Sequence, residues 1–220
     1  MRIIAGRFRR GTLLTNPGQV NRPVTDRVKE WLFARLEPRL QEGRVADIFA
    51  GTGTLGLEAL SRGAGRVTFI EKDRPAVELL RQNVAKLKVE SETLIWPADV
   101  YRCSFKPKNA EGFTPFDVIF FDPPYRLVPE IAAGSPLYRS LQRLADERVS
   151  SPQALLLLRA PEHATFELPQ EWRLDWTLTM SNMQILHLEK GAVGITPASD
   201  GSAENEEFLP DDAADGEGLA

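Results

Sequence analysis

Asp47-Ile48-Phe49-Ala50-Gly51-Thr52-Gly53-Thr54-Leu55-Gly56 joins a short apolar run, 45–49, to a helical pattern that begins at about Leu55. The run reads as a buried strand. Glycines at 51, 53 and 56 let the chain turn sharply behind it and approach a ligand closely. The stretch satisfies G-x-G-x-x-G, a weak signal by itself. It gains force from Glu71, which ends the next predicted strand twenty residues after Gly51. A carboxylate there can accept hydrogen bonds from two ribose hydroxyls, which suits a nicotinamide dinucleotide and S-adenosylmethionine equally. Asp47 helps to separate them. An acid beside the loop is awkward for a pyrophosphate and suits the ammonium and sulfonium of S-adenosylmethionine. Asp99, after the third predicted strand, can accept from an adenine amino group or cap a helix, and both readings stay open. Phe49, Lys72 and Val100, next to these residues, and Asp122, at the end of a later strand, complete the candidate cofactor set.

Outward from the loop, strand and helix patterns alternate. Strands are expected at 45–49, 66–70, 93–96, 116–121 and 154–159, with helices at 55–62, 74–87 and 137–147. Such alternation implies a mostly parallel sheet with helices on both faces. Runs at 172–178 and 183–189, with no helix between them, close the sheet as an antiparallel edge hairpin. The expected fold is α/β, a Rossmann-like sheet of seven strands with an N-terminal β/α extension. Residues 1–43 form that extension: short strands at 2–5 and 12–14 around a basic turn, then a helix from a Thr25 cap to about Leu40. Residues 44–192 form the sheet domain, and 193–220, rich in acid and small residues, read as a disordered tail.

The second informative stretch is Phe116-Asp117-Val118-Ile119-Phe120-Phe121-Asp122-Pro123-Pro124-Tyr125. A polar tetrad ends an apolar strand, so it falls at the carboxyl edge of the sheet, where such folds bind ligands. An exocyclic amine on a nucleic-acid base is a poor nucleophile because its lone pair is delocalised into the ring. Two acceptors aimed at its N–H bonds return the pair to nitrogen. Asp122 supplies one, and the Pro123 carbonyl can supply the other. Pro123 and Pro124 stiffen the loop, and Tyr125 can stack on the flipped base. An isolated tetrad would read as a proline turn with a stacked aromatic; following the glycine loop in this order, it reads as a catalytic site for methyl transfer.

Charge is unevenly spread. The 220 residues carry a formal net charge of −4, yet eight of the 31 acidic residues lie at or after Asp200, where there is no Lys or Arg. The first 27 residues hold six arginines against the single acid Asp26. A basic arm of this kind suits phosphate contacts, and Arg2, Arg7, Arg9, Arg10, Arg22, Asp26 and Arg27 are the candidate nucleic-acid residues. Arg7, Arg9 and Arg10 read as phosphate contacts rather than ion pairs, because no acid precedes Asp26. One cysteine excludes an internal disulfide and points to a reducing compartment, the cytoplasm. The two histidines lie outside the motifs, so no metal is expected. No run is long enough to span a membrane.

These stretches resemble the bacterial RsmD-type 16S rRNA guanine-N2 methyltransferases, over roughly residues 1–190. Arg2-Ile3-Ile4-Ala5-Gly6, the Arg22-Pro23-Val24-Thr25-Asp26-Arg27-Val28-Lys29-Glu30 block and the Leu57-Glu58-Ala59-Leu60-Ser61-Arg62-Gly63-Ala64 run are the specific matches. The glycine loop and Asp122–Tyr125 are shared more widely among class I methyltransferases. The resemblance implies the class I methyltransferase fold, S-adenosylmethionine held at Asp47, Gly51, Gly53, Glu71 and Asp99, and catalysis at Asp122–Tyr125. It implies 16S rRNA, in the small ribosomal subunit or its assembly intermediate, as the substrate of a monomer. The Met180–Ile185 stretch departs from the family's usual glycine and aromatic there, as does the acidic tail. The competing readings are an N6-adenine DNA methyltransferase, a nicotinamide-dependent oxidoreductase and a non-catalytic RNA-binding assembly factor.

Overall fold

The chain was studied as a computed structural model, which describes residues 1–15, 26–180 and 182–191 and the backbone of 204–207. Helix α1 (Asp26–Leu40) leads into β1 (Arg44–Ile48), α2 (Thr54–Ser61), β2 (Arg66–Glu71), α3 (Arg74–Leu87) and β3 (Thr93–Pro97). Then come β4 (Phe116–Phe121), α4 (Pro136–Leu144), β5 (Ser150–Pro161), β6 (Trp172–Met180), β7 (Met183–Lys190) and β8 (Glu204–Glu207). The strands form one sheet in the order β3-β2-β1-β4-β5-β7-β6-β8. The first five in that order run parallel, and β7 runs antiparallel to both β5 and β6. This is the class I methyltransferase sheet with its antiparallel hairpin. At four residues of the expected tail the unstructured reading gives way to β8, whose backbone pairs parallel with β6; the rest of 193–220 lies outside the described residues, as do the Thr25 cap and Arg22.

Local chemistry sets the helix starts. Asp73 caps α3 by accepting from the Ala76 amide, with Pro75 in the first turn; Ser135 caps α4 by accepting from the Tyr138 amide, with Pro136 as its first residue. In α1, Pro38 sits in the last turn and the helix continues to Leu40, where little remains of the ladder to lose. The run 45–49 ends one residue early, because Phe49 leaves the strand in a left-handed conformation, φ 64°. Strand β5 is longer than its leucine core because residues 150–154 enter the sheet through a register shift against β4.

Two apolar clusters sandwich the sheet. One lies under α1, α2 and α3; the other lies under α4 and the 125–131 segment. Ile3 and Leu13 of the arm belong to the first, and burial of each contributes roughly 1.5–3 kcal/mol. The expected arm hairpin is reduced to a single bridge, Arg2 to Thr12, closed by Ile3 N to Gly11 O and Arg10 N to Ile3 O, each 2.9 Å. Side chains of the helices, with the Ser61 carbonyl that accepts from the Arg7 amide, hold the arm against the domain.

Glu58 on α2 is the centre of that docking. Its carboxylate accepts from the Ile4 amide at 2.8 Å, the Ala5 amide at 3.2 Å and Arg62 Nε at 2.8 Å. Lys29 of α1, 1% exposed, lies 3.9 Å from the same carboxylate and donates to the Arg2 carbonyl. Ser61 bonds the Ala5 carbonyl and the Phe8 amide through its hydroxyl. Two of the sequence matches, Arg2–Gly6 and Leu57–Ala64, are therefore the two halves of one contact. Gly6 is held at φ 79° against the Ser61 carbonyl, where any Cβ would collide with backbone.

Candidate active site

The strand order reverses between β1 and β4, so the crevice at their carboxyl ends is the ligand position of this sheet type. The Asp122 amide bonds the Ile48 carbonyl at 3.3 Å, which seats the Asp122–Tyr125 tetrad directly beside the glycine loop. In that loop Phe49, Gly51 and Gly53 all have positive φ, and Phe49 packs edge-on against Phe121. The glycines have different reasons. At Gly53 and Gly56 a Cβ would strike Leu80 and Phe69 of the core, each at 2.4 Å. Their smallness serves the packing of the loop and α2 against the core.

Four acids converge on this edge. Glu71, at the tip of β2, accepts from the Gly51 amide at 2.9 Å with one oxygen and from the Lys72 and Asp73 amides at 2.8 Å with the other. Asp99 accepts from the Tyr101 amide within a turn, so the helix-cap reading fails, and it lies 3.8 Å from Lys72. Val100 beside it is buried. Asp47 is buried at 2% exposure, and its Oδ2 accepts from the Gly56 amide at 2.9 Å. Burial pushes its pKa up to about 8, and the Asp122 and Glu71 charges push in the same direction. The sequence placed Asp47 as a partner for a bound cation; its observed bond braces the start of α2 instead.

Asp122 was expected to present a carboxylate to the substrate. The structure adds a residue that the sequence reading passed over. Arg159, at the tip of β5, donates from Nε to Asp122 Oδ1 at 2.7 Å and from Nη2 to Oδ2 at 2.9 Å. Its guanidinium also lies 5.5 Å from the centre of the Tyr125 ring. A signal was present: a lone charged residue ends a run of four leucines in the strand beside the tetrad. Burial raises the Asp122 pKa, and Arg159 opposes that rise. Pro124 leads into a 3-10 turn, Tyr125–Glu130, in which the Leu127 amide bonds the Pro124 carbonyl. Tyr125 packs half-buried against the first apolar cluster.

The candidate nucleic-acid residues separate into two groups. Arg2 pairs with Asp26 at 2.8 Å at the start of α1, and Arg27 is exposed next to them. This start lies at the carboxyl edge, because the other end of α1 reaches the beginning of β5 through Arg39 and the Gln153 carbonyl. The turn carrying Arg7, Arg9 and Arg10 docks at Ser61, the far end of α2. It therefore lies about 12 Å, the length of this eight-residue helix, from the crevice end. Arg7 pairs with Glu92, 85 residues away in sequence. That pairing corrects the expectation that Arg7 lacks an acidic partner. His187 is buried and stacks on Trp176 at 4.7 Å, with Asp175 at 3.3 Å, and burial lowers its pKa. Cys103 is buried.

Comparison with known proteins agrees with this architecture. The chain is 34% identical over 176 residues to the ribosomal RNA small subunit methyltransferase D of Haemophilus influenzae, covering 79% of this chain and 86% of that one. A solved structure of the putative methyltransferase yhhF from Escherichia coli superposes with a TM-score of 0.70 at 32% identity, covering 86% of this chain and 97% of that one. An RNA methyltransferase from Salinibacter ruber in complex with S-adenosyl-L-homocysteine shares the fold alone, at TM-score 0.57 and 14% identity, over 81% of this chain and 99% of that one. The family model described as conserved hypothetical protein 95 matches residues 1–185; the chain belongs to this family, that of the RsmD-type homologues of small-subunit rRNA methyltransferase D.

Proposed function

We propose that this chain transfers a methyl group from S-adenosylmethionine to the exocyclic N2 of a specific guanine in 16S rRNA of the small ribosomal subunit or its assembly intermediate. The observation that carries the reading is the seating of Asp122 against Ile48, which sets an acceptor beside the glycine-loop crevice. The crevice suits a cationic methyl donor: the Glu71 and Asp122 carboxylates both lie close enough to Asp47 to raise its pKa, so two acids border the site. Glu71 would hold the ribose, Asp99 and Val100 the adenine, and Phe49, Gly51 and Gly53 the floor of the site, with Lys72 at its rim.

S-adenosylmethionine, when bound, supplies an already activated methyl group. The protein's task is then to orient and polarise the nucleophile. Asp122 and the Pro123 carbonyl accept from the two N–H bonds of the amine and return its lone pair to nitrogen. Pro123 and Pro124 keep those acceptors from swinging away. Tyr125 stacks on the extruded base, which has left its own neighbours and needs a replacement surface. Arg2 and Arg27 at the crevice end meet phosphates near the target, while Arg9 and Arg10 meet backbone further off. The cytoplasm, where ribosomal subunits are assembled, is the compartment this reading implies.

The test is tritiated methyl transfer to small subunits, naked 16S rRNA and duplex DNA in parallel, with the labelled nucleotide mapped. Label at guanine N2 in small-subunit rRNA is expected. DNA as the preferred acceptor, or no transfer to any of the three, overturns the reading.

A further inference from the structure

We propose that Arg159 is the positioning residue of this site, holding the Asp122 carboxylate ionised and in a fixed plane while tying it to the Tyr125 ring. The inference rests on the methyl-transfer reading and deepens it by assigning the group that prepares the acceptor.

The arrangement follows from the register of two parallel strands. Phe121 of β4 pairs with Leu158 of β5, so the next residue on each strand brings Asp122 and Arg159 side by side. Both bonds of the guanidinium fork are made, at 2.7 and 2.9 Å, by side chains only 8% and 18% exposed. A planar fork fixes the plane of a carboxylate, which a lysine ammonium does not. One lone pair on each oxygen is used, and a carboxylate offers about four. The remaining pairs still accept from an N–H donor, so the arginine orients Asp122 without consuming it.

The charges around Asp122 explain why a cation is needed. Asp47 of β1 feels the charges of both Asp122 and Glu71 of β2, Tyr125 shares the Asp122 loop, and Arg159 comes from β5. Burial favours the protonated carboxyl. A protonated Asp122 would turn a hydroxyl toward the amine, one donor facing another. Arg159 opposes that proton. The same guanidinium lies 5.5 Å from the Tyr125 ring, so a single cation fixes both the acceptor and the stacking face.

The experiment uses the full chain with Arg159→Met and Arg159→Lys. Carboxyl-carbon NMR of 13C-aspartate-labelled protein follows the Asp122 titration directly, with Asp122→Asn identifying its signal. In Arg159→Met the Asp122 midpoint is expected to rise, and in Arg159→Lys to return toward wild type. In methyl transfer to small subunits, Arg159→Met should lower kcat by about 10²-fold and move the acid limb of its pH profile upward. KM and S-adenosylhomocysteine binding, by calorimetry, should change by less than about threefold. Arg159→Lys should recover the acid limb but only part of kcat, because it restores charge without the fork. Should Arg159→Met fail to fold, Arg159→Lys carries the test through its reduced kcat at unchanged KM. An unmoved Asp122 midpoint in Arg159→Met, or a loss of rate equal at every pH, overturns the role of Arg159. A wild-type protein that transfers no methyl group overturns the function instead, and the NMR titration still reports on the pair.

Discussion

Glu58 on α2 and Asp122 beyond β4 each hold an arginine, at 2.8 and 2.7 Å, and the two pairs differ in what surrounds them. Glu58 is fully buried and divides its oxygens among two arm amides, Arg62 and Lys29. Its accepting capacity is consumed within the fold. Asp122 gives both oxygens to one arginine and retains some exposure at the ligand edge. A buried acid–arginine pair is therefore not evidence of a site by itself. An acid saturated by backbone amides at a helix–arm contact is a fastening. One with lone pairs to spare, at the carboxyl edge of a parallel sheet, can take a substrate.

The contrast predicts opposite responses to the same truncation. Glu58→Ala leaves Arg62 and Lys29 without a counter-charge and two amides without an acceptor. We expect a loss of about 3–5 kcal/mol in urea-induced unfolding; an unchanged unfolding free energy would remove Glu58 from its role as the fastening. Asp122→Ala should cost about 10²–10³-fold in methyl transfer, which is about 2.7–4 kcal/mol in the barrier. Its unfolding free energy should fall less than that of Glu58→Ala, and S-adenosylhomocysteine should still bind. Retained turnover would break the comparison from the other side.

Asp47 sharpens the contrast through pH. Its folded pKa, about 8, lies above the unfolded value of about 4. Between those values the unfolded chain carries fewer protons than the folded one, so this group's contribution to stability falls as pH rises from about 4 to about 8 and is level beyond. Asp47→Asn keeps an acceptor for the Gly56 amide and removes that slope. Relative to wild type, its Tm should be higher by roughly ten degrees at pH 8 than at pH 5. An equal difference at both pH values would mean that Asp47 is ionised in the folded protein.

Much of the site was legible because it follows strand ends. The glycine loop, Glu71 and Asp122–Tyr125 each terminate an apolar run, and a parallel sheet brings all such ends to one edge. Less legible were residues whose meaning depends on a distant neighbour. Arg159 is visible in the sequence, but its value comes from lying across from Asp122, 37 residues earlier. Arg7 seemed without an acid because Glu92 reaches it only after α2, β2 and α3 have folded. The basic arm read as one patch; folding pairs Arg2 with Asp26 at the start of α1 and docks the Arg7 turn at Ser61, the end of α2.

Periodicity and strand-end chemistry, both local properties of the chain, determined the α/β class, the order of elements and the acceptor tetrad. Which acid is saturated by the fold and which keeps lone pairs to spare at the carboxyl edge was decided only by tertiary structure, because the free lone pairs of a carboxylate depend on what the rest of the fold has already bonded to it.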